Sequence, residues 1–197
     1  TTLPMGLRFH LSITNMDISC NRLQQISFEI GGLIKLRFFD ASNNLIRYIH
    51  SDIGFCSSLE SFNLSTNPLA ELPADLGMIT SMKNLIIHDL KLSFPSADII
   101  ECGTSHIMRF LMGYSRFNRS GILNLNGMNL QSIPSDVFSI TNLKGLTLDR
   151  NPMPSLSTEL IQMTLLGLLS LDFSGLQDYK IFNEKWPVAR WPFLQTL

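Results

Sequence analysis

One pattern, the stretch Leu59 to Leu72, LESFNLSTNPLAEL, constrains this chain more than any other, because the rest of the sequence repeats it. Apolar residues fall at Leu59, Phe62, Leu64, Leu69 and Leu72, with Asn67 between an alternating half and a turn. Asn21, Asn44 and Asn67 recur at intervals of 23 residues. Around them stand Ile13, Met16, Ile18 and Leu23, then Leu36, Phe39, Ala41 and Ile46. Further copies carry Met82, Leu85, Ile87 and Leu92; Leu123, Leu125 and Leu130; Leu143, Leu146, Leu148, Asn151 and Met153; and Leu166, Leu169, Leu171 and Leu176. Repeats therefore start near residues 13, 36, 59, 82, 120, 143 and 166, with a partial one at 194. A fixed period in this range is the mark of a stacked array in which one coil leans on the next.

Within each copy, an alternation such as Phe62-Asn63-Leu64-Ser65 places successive side chains on opposite faces of a strand. Leu-type residues point inward and the intervening ones line an open sheet. Every strand is regained through a return segment, so the sheet is predicted to be parallel. Return segments contribute a second apolar pair each, Ile26 with Ile30, Ile49 with Ile53, Leu72 with Leu76, Ile133 with Val137 and Leu156 with Leu160. The Asn at the bend can bond both a turn N–H and a neighbouring carbonyl, so Asn21, Asn44, Asn67 and Asn151 are expected to form a structural ladder. Leu90, Met128 and Ser174 replace it and should weaken that ladder.

Written out, the ladder is L-x-x-L-x-L-x-x-N-x-L, and the chain resembles the leucine-rich repeat family. Leu72-Pro73 followed by Leu76-Gly77 is similar to the LPxxLG tail of its short intracellular class, which includes the plant Ras-group and Scribble-like proteins. The resemblance implies an α/β solenoid, a curved horseshoe with a parallel β-sheet on the concave face and short helices or irregular segments on the convex face. Over residues 1–197 it implies one array. The fourth and fifth copies are 38 residues apart, and the extra length contains SADIIECGTSHIMRFLMGY. Ser96 as N-cap, Asp98 in the first turn, and Ile100, Ile107, Leu111 and Tyr114 at helical spacings predict a helix over 97–117, broken at Gly103-Thr104, between two sub-arrays. GTSHIMRFL also resembles the GTxxILxYL helix that follows certain repeats in intracellular members of the family.

Residues 1–12 look like the rear half of an earlier repeat, and Leu194 and Leu197 open a further one, so a piece of a larger protein is expected. Trp186-Pro187 and Trp191-Pro192 interrupt regular structure. Those Trp side chains either shield the convex core or present an aromatic anchor. Cys20, Cys56 and Cys102 are odd in number and far apart, without the cysteine-rich caps usual in extracellular relatives, which points to an intracellular, cytoplasmic setting. The sequons at Asn63 and Asn118 are the opposing signal.

No HExxH, GxxxxGK[ST], GxSxG or GxGxxG motif is present, so neither an enzyme nor a cofactor is expected. Cys102 and His106 are four apart, the spacing of two metal ligands, but no third ligand is near in sequence, and no metal is expected. A net charge of −1 gives no electrostatic footprint for nucleic acid, and no apolar run is long enough to span a membrane. What remains is a surface. Its outward columns read Asp17, Asp40, Asn63, Ile86, Asn124, Thr147, Ser170, then Ser19, Ser42, Ser65, His88, Asn126, Asp149, Asp172. Phe38 and Phe173 add rings and Arg150 a cation. This mildly acidic groove is read as the site for a protein partner, with a solvated face of template residues as the alternative. The resemblance implies a non-catalytic scaffold, or else the sensing module of a larger kinase, Roco GTPase or adenylyl cyclase; a receptor ectodomain is a third possibility.

Overall fold

The computed structural model describes residues 1–171, so the expectations for Asp172, Phe173, Ser174, Trp186, Trp191, Leu194 and Leu197 lie outside the described residues. The chain divides into two compact units, Thr1–Ser115 and Arg116–Leu197. In the first, strands β1 (Asn15–Asp17), β3 (Phe38–Asp40), β5 (Ser61–Asn63) and β6 (Asn84–Ile86) form one parallel sheet in sequence order. Asn15 pairs with Phe38, Phe38 with Ser61 and Ser61 with Asn84, so each residue faces its counterpart one 23-residue period later. On the return side β2 (Gln25–Ile26) and β4 (Tyr48–Ile49) make a second, two-stranded parallel pair.

The remaining return segments are single 3₁₀ turns, Leu7–Phe9, Phe28–Gly32, Ser51–Phe55 and Ala74–Met78. In the last three the middle residue, Ile30, Ile53 or Leu76, is fully buried, and its carbonyl accepts the N–H of the residue that closes the turn. The apolar pairs expected on this side are all buried. Between sheet and turns lies the core. Leu36, Phe39 and Ala41 stack on Leu59, Phe62 and Leu64, and the rings of Phe39 and Phe62 lie parallel, 4.8 Å apart. Ile13, Met16 and Ile18 are half-buried by contrast, because a neighbouring coil covers only one side of the first one.

The segment after the fourth coil is two helices, α1 (Ala97–Ile100) and α2 (Thr104–Ser120), with Gly103 at φ +86° between them. Helix α2 runs three residues past the expected 117. Ile99, not Ile100, is the fully buried residue of α1, and the buried side of α2 is wider than the expected stripe, taking in Ile107, Met108, Phe110, Leu111 and Phe117. It lies against the third coil, where a Cβ on Gly77 would come within 2.1 Å of the Met112 nitrogen. Ser115 donates to Asp75 at 3.0 Å, and Phe94, Phe110 and Tyr114 cluster above. The Gly of the LPxxLG tail is thus a contact point that admits backbone only. The unit boundary falls within α2.

In the second unit β7 (Ile122–Asn124), β8 (Gly145–Thr147) and β9 (Leu168–Ser170) repeat the parallel arrangement with the same register. A short helix α3 (Ser135–Phe138) and a 3₁₀ turn, Thr158–Gln162, carry the returns.

Candidate functional site

The bends decide how the sheet residues are held. Asn67 Nδ2 donates to its own coil at Leu64 (2.8 Å) and to the preceding coil at Ala41 (3.0 Å), while its Oδ1 accepts the Ile46 N–H at 2.9 Å. Asn44 does the same with Ala41, Ile18 and Leu23, and Asn151 with Leu148, Leu125 and Leu130. Each amide therefore closes its own turn and ties it to the one before. The fold is a leucine-rich repeat solenoid.

Asn21 makes only the local half of this set, to Ile18 and Ser19, and remains exposed. In the fourth leucine-rich repeat, Leu90 stands where the amide would be, and among the described residues no group accepts the N–H of buried Leu69. A cavity of about 520 Å³ opens there, lined by Thr66, Pro68, Leu69, Asp89 and Lys91 among others. Met128 fills its place with an apolar side chain that is almost fully buried.

No protein-family model matches the sequence, and no curated protein matches it. Solved structures do. A leucine-rich repeat protein of Leptospira interrogans aligns with 98% of this chain and 50% of its own at 21% identity and a TM-score of 0.47. An internalin, InlF, of Listeria monocytogenes aligns over 95% and 54% at 17% identity and 0.40. The plant peptide hormone receptor RGFR1, solved in complex with RGF2, aligns over 87% and 26% at 20% identity and 0.43. This chain spans about half the length of the first two.

On the outward sheet face of the first unit, the structure places Asp17, Asp40 and Asn63 in one row, with Ile86 at its end. The row has a backbone task. Asp17 accepts the Ser19 N–H at 2.9 Å, Asp40 that of Ser42 at 2.9 Å and Asn63 that of Ser65 at 3.1 Å, each closing a turn at the strand exit. Asp40 also takes the Ser42 hydroxyl (2.6 Å) and the Asn63 amide (3.0 Å). Burial pushes the Asp40 carboxyl up, but these hydrogen bonds outweigh it and hold the group below the ordinary carboxylate value. Its acidity is largely satisfied within the sheet. His88 is exposed, and its carbonyl accepts the Thr66 N–H at 3.1 Å.

In the second unit Asn124 caps Asn126 in the same way at 3.0 Å. Asn126 and Asp149 exchange two bonds, at 2.9 and 3.0 Å, and Ser170 donates to Asp149 at 2.6 Å. Arg150 is exposed at φ +57°, the left-handed position that Cys20, Asn43, Thr66 and Asp89 occupy in other repeats.

A different row carries side chains that the stack does not need. Asn15, Phe38, Ser61 and Asn84 are in register, and Phe38 is 44% exposed. The Arg37 guanidinium lies 5.4 Å from the Phe38 ring centroid and bonds Glu60 at 2.6 Å; Lys83 bonds the other Glu60 oxygen at 2.7 Å. Hydrogen bonds from Lys83 and then Arg37 draw the Glu60 carboxyl below its usual range. Sequence reasoning missed this charged rung, although Arg37, Glu60 and Lys83 alternate in sign at the repeat interval. Among the described residues no three His, Cys, Asp or Glu side chains gather as metal ligands, and no helix is long and apolar enough to cross a membrane. Cys102 lies before α2, its thiol donating to the Asp98 carbonyl at 3.2 Å, and His106 is half-buried.

Proposed function

We propose that this chain is a non-catalytic protein-interaction domain that takes its partner on the outward sheet face. The supporting observation is Phe38. A ring of this size left nearly half exposed on a flat face, steadied by a guanidinium, stands outside the buried core and fits the aromatic anchor of a protein interface. Beside Phe38 in the first unit, Asp17, Asp40, Asn63 and His88 supply polar contacts at the regular spacing of a β-sheet, and Asn124, Asn126, Asp149 and Arg150 form a like set on the separate sheet of the second unit. Asp172 and Phe173 extend the same set by sequence register. The Leu72-Pro73 and Leu76-Gly77 tail, with Gly77 against α2, supports membership in the short intracellular class. A cytoplasmic location agrees with three unpaired cysteines, one of them, Cys56, buried with its thiol pushed up to about 12.

A photo-reactive phenylalanine at position 38, compared with one at exposed Phe55 on the return side, tests the face directly. Partner adducts are expected from position 38, and F38A is then expected to weaken binding of the captured partner by about tenfold or more. Adducts from position 55 alone would refute the proposal.

A further inference from the structure

The return side of the first unit carries a pocket that neither the stack nor the sheet face uses. The β2–β4 pair sets Gln25 beside Tyr48, and Ser27 and Phe28 follow at once after β2 and His50 after β4. His50 caps the turn Ser51–Phe55, its Nδ1 accepting the Asp52 N–H at 3.2 Å, which fixes the ring. Two other rings stand across it. Phe28 is 6.1 Å away at 68° and Tyr48 is 6.3 Å away at 87°. Together they wall a cavity of about 250 Å³.

Two polar groups share this cavity. Glu29 is only 5% exposed, with Oε2 held by the N–H groups of Gly6 and Arg8 at 3.1 and 3.2 Å. The Ser27 hydroxyl is buried and has no hydrogen-bond partner among the described residues. Phe28 and Tyr48 are 45% and 53% exposed, so the core does not account for their position. Ring faces carry negative charge density and attract cations, and Phe28 already meets one, the Arg8 guanidinium at 5.6 Å. A bare ammonium is strongly hydrated and gains little from rings left half in water. Methyl groups lower that hydration and touch the rings, while a remaining N–H needs an acceptor such as the idle Ser27 hydroxyl.

We propose that this pocket, walled by Phe28, Tyr48 and His50 beside Glu29 and Ser27, receives a mono- or dimethylated lysine side chain of a partner protein. The site stands apart from the sheet-face proposal, and F38A leaves it unchanged. The test titrates the intact chain with acetylated dimethyl-lysine methylamide, its trimethyl analogue and an uncharged carbon isostere, following ring signals of Phe28, Tyr48 and His50 by NMR. Dimethyl-lysine is expected to move all three rings and to bind about tenfold tighter than the isostere, each half-exposed ring adding roughly two- to fivefold. Y48A should lose that preference without a change in melting temperature, since Tyr48 is exposed. S27A should erase the advantage of dimethyl over trimethyl, and R8Q should tighten binding by removing a competing cation. Equal binding of the isostere, unmoved ring signals, or a trimethyl preference in the unaltered chain would overturn the proposal.

Discussion

Replacing Asn67 by Ala should be among the most damaging single changes on this chain, far worse than the same change at Asn21. Asn67 is buried and joins two coils; removing its amide leaves the Ile46 N–H without an acceptor and withdraws a donor from both Ala41 and Leu64. An orphaned buried N–H costs about 1–3 kcal/mol, and each weakened carbonyl about 0.5–1.5 kcal/mol. N67A should therefore lose roughly 2–6 kcal/mol. Asn21 bonds only its own coil from an exposed position, and water replaces what is lost, so N21A should cost under about 1 kcal/mol. Urea denaturation of the intact chain measures the difference, and amide exchange of Ile46 reports it locally, because opening in a solenoid is resolved coil by coil. Equal losses in the two variants, or an Ile46 amide no less protected in N67A than in the parent, would refute the ladder as the connecting element.

Three further outcomes follow from the same geometry. Thr66 is β-branched and held at φ +57°, so T66G should raise stability by about 1 kcal/mol, whereas G127A, at φ +60°, should lower it; melting temperatures check both. G77A drives a Cβ to 2.1 Å from the α2 backbone and should cost at least about 2 kcal/mol, visible as faster amide exchange around Met112. Asp40 has a depressed pKa in the folded state, so its contribution is present above the unfolded value of 3.8 and is lost as pH falls through the lower folded value. D40N should accordingly flatten the drop in urea midpoint between neutral pH and about pH 3, and an unchanged drop would show that the Ser42 and Asn63 bonds do not stabilise the charge.

These predictions differ in how far they were legible beforehand. The strands and the inward residues follow from the repeat interval, because a period-2 alternation recurring every 23 residues leaves a parallel stack as the arrangement that buries Leu36, Leu59 and Phe62 together. Asn67 was readable for the same reason: an amide at a bend has few other uses. The polar columns were not separable that way. Asp17 and Asp40 look alike in sequence, yet only Asp40 has an Asn one repeat later whose amide reaches it, so its charge is satisfied internally while Asp17 remains exposed. The Arg37–Glu60–Lys83 rung shares that logic, since its members meet only across coils.

By itself, then, the sequence determined the period, the parallel strands, the buried side of each coil and the break at Gly103, all of which depend on local alternation and spacing. Only the tertiary structure decided which outward side chains are already engaged, where α2 touches the third coil, and that Phe28, Tyr48 and His50 form three walls of one pocket. Those facts depend on distances between residues about one repeat or more apart, which a one-dimensional pattern does not contain.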